Sequence, residues 1–164
     1  MSTPASIAKH PIHPMLVAFP IGLLVFSLAC DLIYAGTHLP NWAVAALYSM
    51  GGGIIGALLA AVPGFIDFLS IQESEMKAIA WKHMLTNVTG LIIFLVNFFL
   101  RFNSSISWTT GLVLSIIGVF IFAIGGWLGG EMVYVKGMAV EPVEELSKKL
   151  ERAEEERPGL RRAG

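Results

Sequence analysis

The sequence is poor in the residues that cross-link or solvate an ordinary soluble domain. It has one cysteine, Cys30, in 164 residues, and only 14% of its side chains are charged. A single cysteine excludes a disulfide framework, a CxxC redox pair and a CxxCH site for covalent haem. The chain also lacks a nucleophile paired with a base, a phosphate-binding loop and a basic nucleic-acid surface. No nucleic-acid partner and no catalytic residue are predicted, and whether the chain is an enzyme stays open.

Apolar stretches are abundant instead, since hydrophobic residues make up 55% of the chain. They fall into four runs, at about residues 15–34, 42–70, 83–101 and 109–130. Each run approaches or exceeds the ~20 residues with which a helix crosses a ~30 Å hydrocarbon layer. The sequence therefore predicts an all-α protein, a four-helix transmembrane bundle in the lipid bilayer. We divide it into an N-terminal lip (1–14), a four-span domain (15–135) and a charged tail (136–164).

Positive charge is distributed unevenly about these spans. The crossings place all but one of the 11 Lys and Arg residues on the side of the two termini, and Arg101 on the other. By the positive-inside rule, we predict a multi-pass protein of the inner (plasma) membrane with both termini cytoplasmic. The tail has one narrow apolar stripe, which predicts a short cytoplasmic amphipathic helix. The stripe consists of Val143, Leu146, Leu150 and Ala153.

The first span is preceded by the sequence His10-Pro11-Ile12-His13-Pro14, in which each imidazole is followed by a proline. Proline fixes its own φ and pushes the residue before it toward extended backbone. Neither histidine is therefore expected to lie in a helix, whereas Pro14 suits the first turn of the helix that follows. We interpret the segment as a rigid polar lip at one end of the bundle.

Antiparallel crossings bring polar residues from four separate segments to the end of the bundle where the lip lies. These residues are His10, His13, Asp67, His83 and Glu131. Imidazole and carboxylate together suit first-row transition metals, and a carboxylate near a helix C-terminus needs a cation or a proton donor. We predict that these five residues form a site for iron, zinc or copper, and that Asn87, one turn from His83, orients a ligand or binds a water. The simpler interpretation is that they contact lipid headgroups.

The opposite end of the bundle has two charges, Asp31 and Arg101, for which an ion pair or a shared water is expected. The glycine-rich stretches 51–53 and 125–130 are interpreted as close-packing seams or, alternatively, as room for a flat macrocycle. The charged segment 71–82 is expected to be a loop or a short interfacial helix. No internal repeat is visible in the sequence.

Four stretches, HPIHPMLVAFPIGLL, AAVPGFIDF, WKHMLTN and GGWLGGEMVYVKGMAV, together resemble the bacterial membrane family called domain of unknown function 2231. The likeness covers about residues 8–140, and its most specific parts are the His-Pro-x-His-Pro opening and the closing Gly-Gly-Glu. The resemblance implies a four-span membrane domain with polar positions at the five residues named above. Some relatives are joined to a Rieske-type iron–sulfur module, which implies electron transfer, although this sequence contains no such module.

The sequence leaves three functional hypotheses open. The first is a cytoplasm-facing His/carboxylate metal site with a redox or electron-transfer purpose. The second is a b-type haem electron carrier with His13 and His83 as axial ligands. The third is a non-catalytic accessory or assembly subunit, and a homo-oligomer or a larger redox complex is the expected assembly. A transporter is disfavoured because no charged residue lies near the midplane of a span.

Overall fold

The computed structural model describes residues 4–8 and 10–138, together with 148, 152 and 153. Over these residues the chain forms four long α-helices, α1 (Ile12–Thr37), α2 (Pro40–Ser70), α3 (Ser74–Phe102) and α4 (Trp108–Gly130). A short antiparallel hairpin, β1 (Ser6–Ile7) and β2 (His10–Pro11), precedes them, and a π-helical turn (Glu131–Val135) follows. All four helices are long and apolar enough to cross a membrane, which confirms the predicted bundle. The amphipathic helix predicted for the tail falls, apart from isolated positions, outside the described residues.

The first helix begins inside the lip. His10 is extended, as expected, but α1 starts at Ile12, so the prediction that His13 lies outside a helix is wrong. Proline at position 14 does not prevent this start, because the first turn of a helix has no intrahelical use for its N–H groups. The Ile12 N–H instead donates to the Ala5 carbonyl at 3.0 Å, so the hairpin caps the helix.

The third helix begins earlier than the hydrophobic run suggests. From Ser74 onward, the segment predicted to be a loop or separate short helix is continuous with α3, and His83 lies more than two turns from the helix start. The segment has an apolar side that packs in a buried cluster with the π-helical turn. This cluster consists of Ile71, Met76, Ala80 and Met132. Burial of these side chains explains why the charged sequence stays helical here.

The four helices form two antiparallel hairpins, in which α1 packs mainly on α2 and α3 mainly on α4. Each hairpin has two side chains on its first helix that donate to carbonyl oxygens of its second helix. The pairs are His13 with Ala60 and Ser27 with Ala46 in the first hairpin, and His83 with Gly125 and Asn97 with Gly111 in the second. Equivalent residues differ in number by 70 between α1 and α3 and by 65 between α2 and α4, in both sets of bonds. The fold is therefore an internal repeat that the sequence did not show.

Corresponding residues of α1 and α3 also meet each other. The rings of His13 and His83 are neighbours at one end of the bundle, and Asp31 and Arg101 form an ion pair at the other. Since they meet at both ends, α1 and α3 run parallel. The two hairpins are thus related by a pseudo-two-fold axis that runs along the bundle, the arrangement of parallel repeats in membrane proteins.

In the middle of the bundle, large side chains pack directly against glycines of the neighbouring helix. Leu24 lies against Gly53 in the first hairpin, and Phe94 lies against Gly118 at the corresponding place in the second. Leu24 and Phe94 are buried together in the main apolar core. Where lipid tails are as apolar as the side chains, such close approach of helices is what holds a bundle together.

Replacing Gly53 or Gly118 with alanine is expected to lower the free energy of unfolding by about 1–3 kcal/mol, because the packed core has no room for another methyl group. A Cβ would lie 2.6 Å from Leu24 Cγ or from Phe94 Cε2, respectively. Matched controls are Gly22→Ala and Gly126→Ala, where a Cβ meets nothing within 4 Å. Unfolding in mixed detergent micelles, followed by circular dichroism, measures the difference. Equal effects at all four positions would contradict the packing argument.

Candidate functional site

Two histidines from different hairpins face each other at the lip's end of the bundle. The ring centroids of His13 and His83 are 6.2 Å apart, and the ring planes are nearly perpendicular at 89°. Both residues are half-buried. They occupy equivalent positions of the repeat, so the pseudo-two-fold axis passes between the rings.

Each ring is fixed by a hydrogen bond to the second helix of its own hairpin. Nδ1 of His13 donates to the Ala60 carbonyl at 2.8 Å, and Nδ1 of His83 donates to the Gly125 carbonyl at 2.9 Å. A carbonyl can only accept, so both rings are protonated at Nδ1 in their neutral form. Nε2 of each ring is then the atom with a free lone pair, the form in which histidine binds a metal.

Glycine lets both rings lie flat against the neighbouring helix. A Cβ on Gly64 would be 2.7 Å from Nδ1 of His13, and a Cβ on Gly129 would be 3.1 Å from Cε1 of His83. Gly64 and Gly129 are themselves equivalent in the repeat. Each lies four residues after the residue whose carbonyl accepts the ring hydrogen bond, one helical turn further along the same face.

Asn87 lies next to His83, as the sequence suggested. Its amide nitrogen Nδ2 donates to the His83 carbonyl at 2.8 Å and lies 3.3 Å from Nδ1 and 3.4 Å from Nε2 of the same ring. The other side of the amide is pressed against α4, where a Cβ on Gly125 would be 2.7 Å from both Nδ2 and Oδ1. The amide is therefore held in one orientation beside the imidazole.

Asp67 has a structural partner at the same end of the bundle. Its side chain is buried, with 4% exposed, and Oδ1 accepts the Ala5 N–H at 2.9 Å. The Ala5 carbonyl accepts the Ile12 N–H, so the Ala5 residue connects the C-terminal part of α2 to the first turn of α1. Asp67 thus holds the N-terminal hairpin in place beneath His13.

His10 and Glu131 have contacts of their own at this end of the bundle. His10 is exposed, and its Nδ1 donates to the Ala8 carbonyl at 2.9 Å. Glu131 begins the π-helical turn, near Lys136. Lys136 donates to Glu75 at 2.7 Å, and this hydrogen bond, reinforced by the charges of Glu131 and Glu73, raises the pKa of the lysine.

The described residues contain no group of three or more His, Cys, Asp or Glu side chains close enough to hold a metal ion together. Of the five ligands predicted from the sequence, His13 and His83 are brought together, with their rings perpendicular. The five-ligand metal site therefore stays a prediction.

The opposite end of the bundle confirms the expected ion pair. Arg101 donates to both oxygens of Asp31, at 2.7 and 2.8 Å, and its Nε donates to Asn97 Oδ1 at 3.0 Å. Ser115 donates to the second oxygen of Asp31 at 3.2 Å. The Asp31 side chain is fully buried and that of Arg101 is 9% exposed. The network is complete without any further ligand.

Sequence reasoning identified both imidazoles but not the groups that orient them. The carbonyls of Ala60 and Gly125 have no signature in a sequence, because every residue has one. Gly64 and Gly129 could not have been found from spacing alone, because the glycine follows the histidine by 51 residues in the first hairpin and by 46 in the second. Only the contacts show which spacing matters.

The fold and this site define a class of protein: a four-helix membrane bundle built from two repeated hairpins, each with one inward histidine. The family model described as "Predicted membrane protein (DUF2231)" matches residues 9–142. The chain belongs to this family, as the sequence resemblance indicated. No curated protein and no solved structure matches it.

Proposed function

We propose that this membrane protein is an electron carrier that binds haem b between His13 and His83. The observation that carries the proposal is the facing pair of imidazoles, each oriented by a backbone carbonyl on its own hairpin. Of the cofactor hypotheses that the sequence left open, the donor set found here favours this one.

The number of available ligands separates haem from a bare ion. A protein site for an isolated transition-metal ion generally supplies three or four ligands. The structure brings two imidazoles together, while Asp67 and His10 have backbone partners. Haem iron needs only axial ligands from the protein, because the macrocycle fills the other four positions. Two imidazoles are therefore sufficient for haem and insufficient for a typical ion site.

The separation of the rings supports the same assignment. A metal bound by two histidines through nitrogens about 2 Å away on either side places the ring centres roughly 6 Å apart. The measured separation is 6.2 Å. The ring planes cross at 89°, and each ring has Nε2 left to bind, so the two histidines would be able to hold one group between them.

The glycines beside the rings suit this role. A side chain at Gly64 or Gly129 would displace its histidine from the helix surface, so each glycine fixes the depth of one imidazole.

When bound, haem supplies a one-electron couple, and the protein supplies binding and orientation. The carbonyls of Ala60 and Gly125 keep a proton on Nδ1 of each ring and leave Nε2 to bind. Because these carbonyls accept a hydrogen bond from Nδ1–H, they also make each imidazole a stronger electron donor. These features support electron transfer rather than chemistry on a substrate.

The membrane placement of the site belongs to the same proposal. Positive charge on the loops favours a plasma-membrane protein with both termini in the cytoplasm, so the histidines would exchange electrons at the cytoplasmic side. A second copy of the chain or a larger redox complex would be the electron partner.

An absorption spectrum of the detergent-purified protein, expressed with ample haem and iron, tests the proposal. We expect a Soret band, α and β bands on reduction, and about one haem per chain by extraction assay. A bound metal without a Soret band would instead support the five-ligand ion site. Neither metal nor haem under these conditions would overturn the proposal and favour the accessory-subunit hypothesis.

A further inference from the structure

We infer that Asn87 makes the two imidazoles of the site electronically unequal and thereby raises the reduction potential of the cofactor between them. The inference rests on the proposed function, because it assigns a role within the same site. It begins from a difference between two hairpins that otherwise repeat the same contacts.

The contacts of Asn87 establish which end of its amide faces the ring. Nδ2 lies 2.8 Å from the His83 carbonyl, which can only accept, so the nitrogen and not the oxygen is on this side. An amide nitrogen has two hydrogens, and the second one lies beside the His83 ring, whose nitrogens are 3.3 and 3.4 Å from Nδ2. Nδ1 of the ring is itself a donor and Nε2 is the atom left to bind, so the amide acts on the ring through its dipole and not through a hydrogen bond. If the amide turned over, Oδ1 would face the His83 carbonyl oxygen, and two acceptors cannot form a hydrogen bond, so this orientation is fixed.

The equivalent position in the first hairpin has no such group. Moving back 70 residues from Asn87 gives Val17, a half-buried aliphatic residue, and moving back 65 from Gly125 gives Ala60. His13 and His83 thus share the hydrogen bond to a carbonyl but differ in the polar neighbour. The internal repeat supplies the matched comparison within one molecule.

The direction of the effect follows from electrostatics. The positive end of the amide dipole beside the His83 ring draws electron density away from the imidazole, which weakens it as a donor to iron. The same dipole favours the state that contains one more electron. Both effects stabilise ferrous over ferric haem, so Asn87 raises the potential.

Three variants test this inference: Asn87→Val, Val17→Asn and the double exchange. Asn87→Val should lower the midpoint potential by about 59 mV, which for one electron is a tenfold change. At the wild-type midpoint potential, the ratio of oxidised to reduced haem would then rise about tenfold. Val17→Asn should shift the midpoint the other way, and the double exchange should return it toward the wild type. Spectroelectrochemical titration measures the midpoint, and low-temperature EPR reports the axial ligand field.

A second measurement needs no cofactor. In haem-free protein, the ¹⁵N chemical shifts of the His83 imidazole should change in Asn87→Val while those of His13 stay as in the wild type. Bound haem with an unchanged midpoint in Asn87→Val would overturn this inference and leave the proposed function standing, as would equal shifts in the same direction for both single variants. Absence of haem from the wild type would overturn the proposed function itself.

Discussion

Replacing His83 with alanine is expected to abolish the Soret band, because the proposed haem would lose one of the two histidines that hold it. The affinity should fall by roughly 100-fold or more, beyond the 10- to 100-fold usual for loss of a group that only orients a ligand. His13→Ala should have the same effect, since the two rings are equivalent across the pseudo-two-fold axis. Haem content per chain, measured in purified protein that remains monodisperse, gives the result.

The matched control is His10→Ala. His10 belongs to the same lip but is exposed and bonded to the Ala8 carbonyl, so its loss should leave haem content unchanged. A cavity variant, His83→Gly, should regain a low-spin spectrum when imidazole is added, because the free molecule can occupy the vacated space. Loss of haem in His10→Ala with retention in His13→Ala would mean that the lip presents the other histidine as ligand.

Replacing Arg101 with leucine should destabilise the bundle by about 3–5 kcal/mol, because it leaves a buried carboxylate without a positive charge beside it. Asp31 is 0% exposed and accepts from Arg101 at both of its oxygens, with Ser115 as a second donor to one of them. Asp31→Leu should have a comparable effect for the opposite charge. Equilibrium unfolding in detergent, monitored by helicity, measures both variants.

The double variant Asp31→Leu/Arg101→Leu serves as the control, since removing a buried pair together is often close to neutral. We expect it to recover most of the stability lost by either single change. A double variant as unstable as the singles would show that packing, and not charge, is what the two residues provide.

Exchange of the two charges tests the pseudo-two-fold axis itself. Arg101 lies over Gly111, where a Cβ would overlap the guanidinium, and the equivalent residue in the first hairpin is Ala46. Asp31→Arg/Arg101→Asp should therefore remain unstable until Ala46→Gly is added to make room for the new arginine. Equal stability with and without the third change would contradict the equivalence of the two positions.

The sequence was sufficient for the architecture because lipid imposes a simple rule. Four apolar runs of membrane-spanning length have few alternatives to four helices, and two charges at the far end of the bundle needed each other. Asp31 and Arg101 were paired on that ground, and the structure confirms the pair. The position of His83 at the lip's end of the bundle followed from the same counting of crossings.

Other features depended on contacts that a sequence does not encode locally. The start of α1 at Ile12 depends on a hydrogen bond to Ala5, and the continuity of α3 depends on burial of Met76 against Met132. The repeat was missed because its equivalent positions differ in identity, as in Ser27 and Asn97, which have the same kind of bond through different side chains. A contact that is repeated in both hairpins by different residue types cannot be seen in the sequence. It becomes visible once the positions of both partners are known.

The division into hairpins has a thermodynamic consequence. Each hairpin is well packed within itself. Each would also supply one histidine to the proposed haem, so the bound cofactor would hold the two hairpins together. A ligand that binds only the assembled form stabilises it by about 2.7 kcal/mol at a concentration 100 times its dissociation constant. Haem supply would then set how much of this protein survives quality control in the membrane, and starvation for haem would shorten its lifetime.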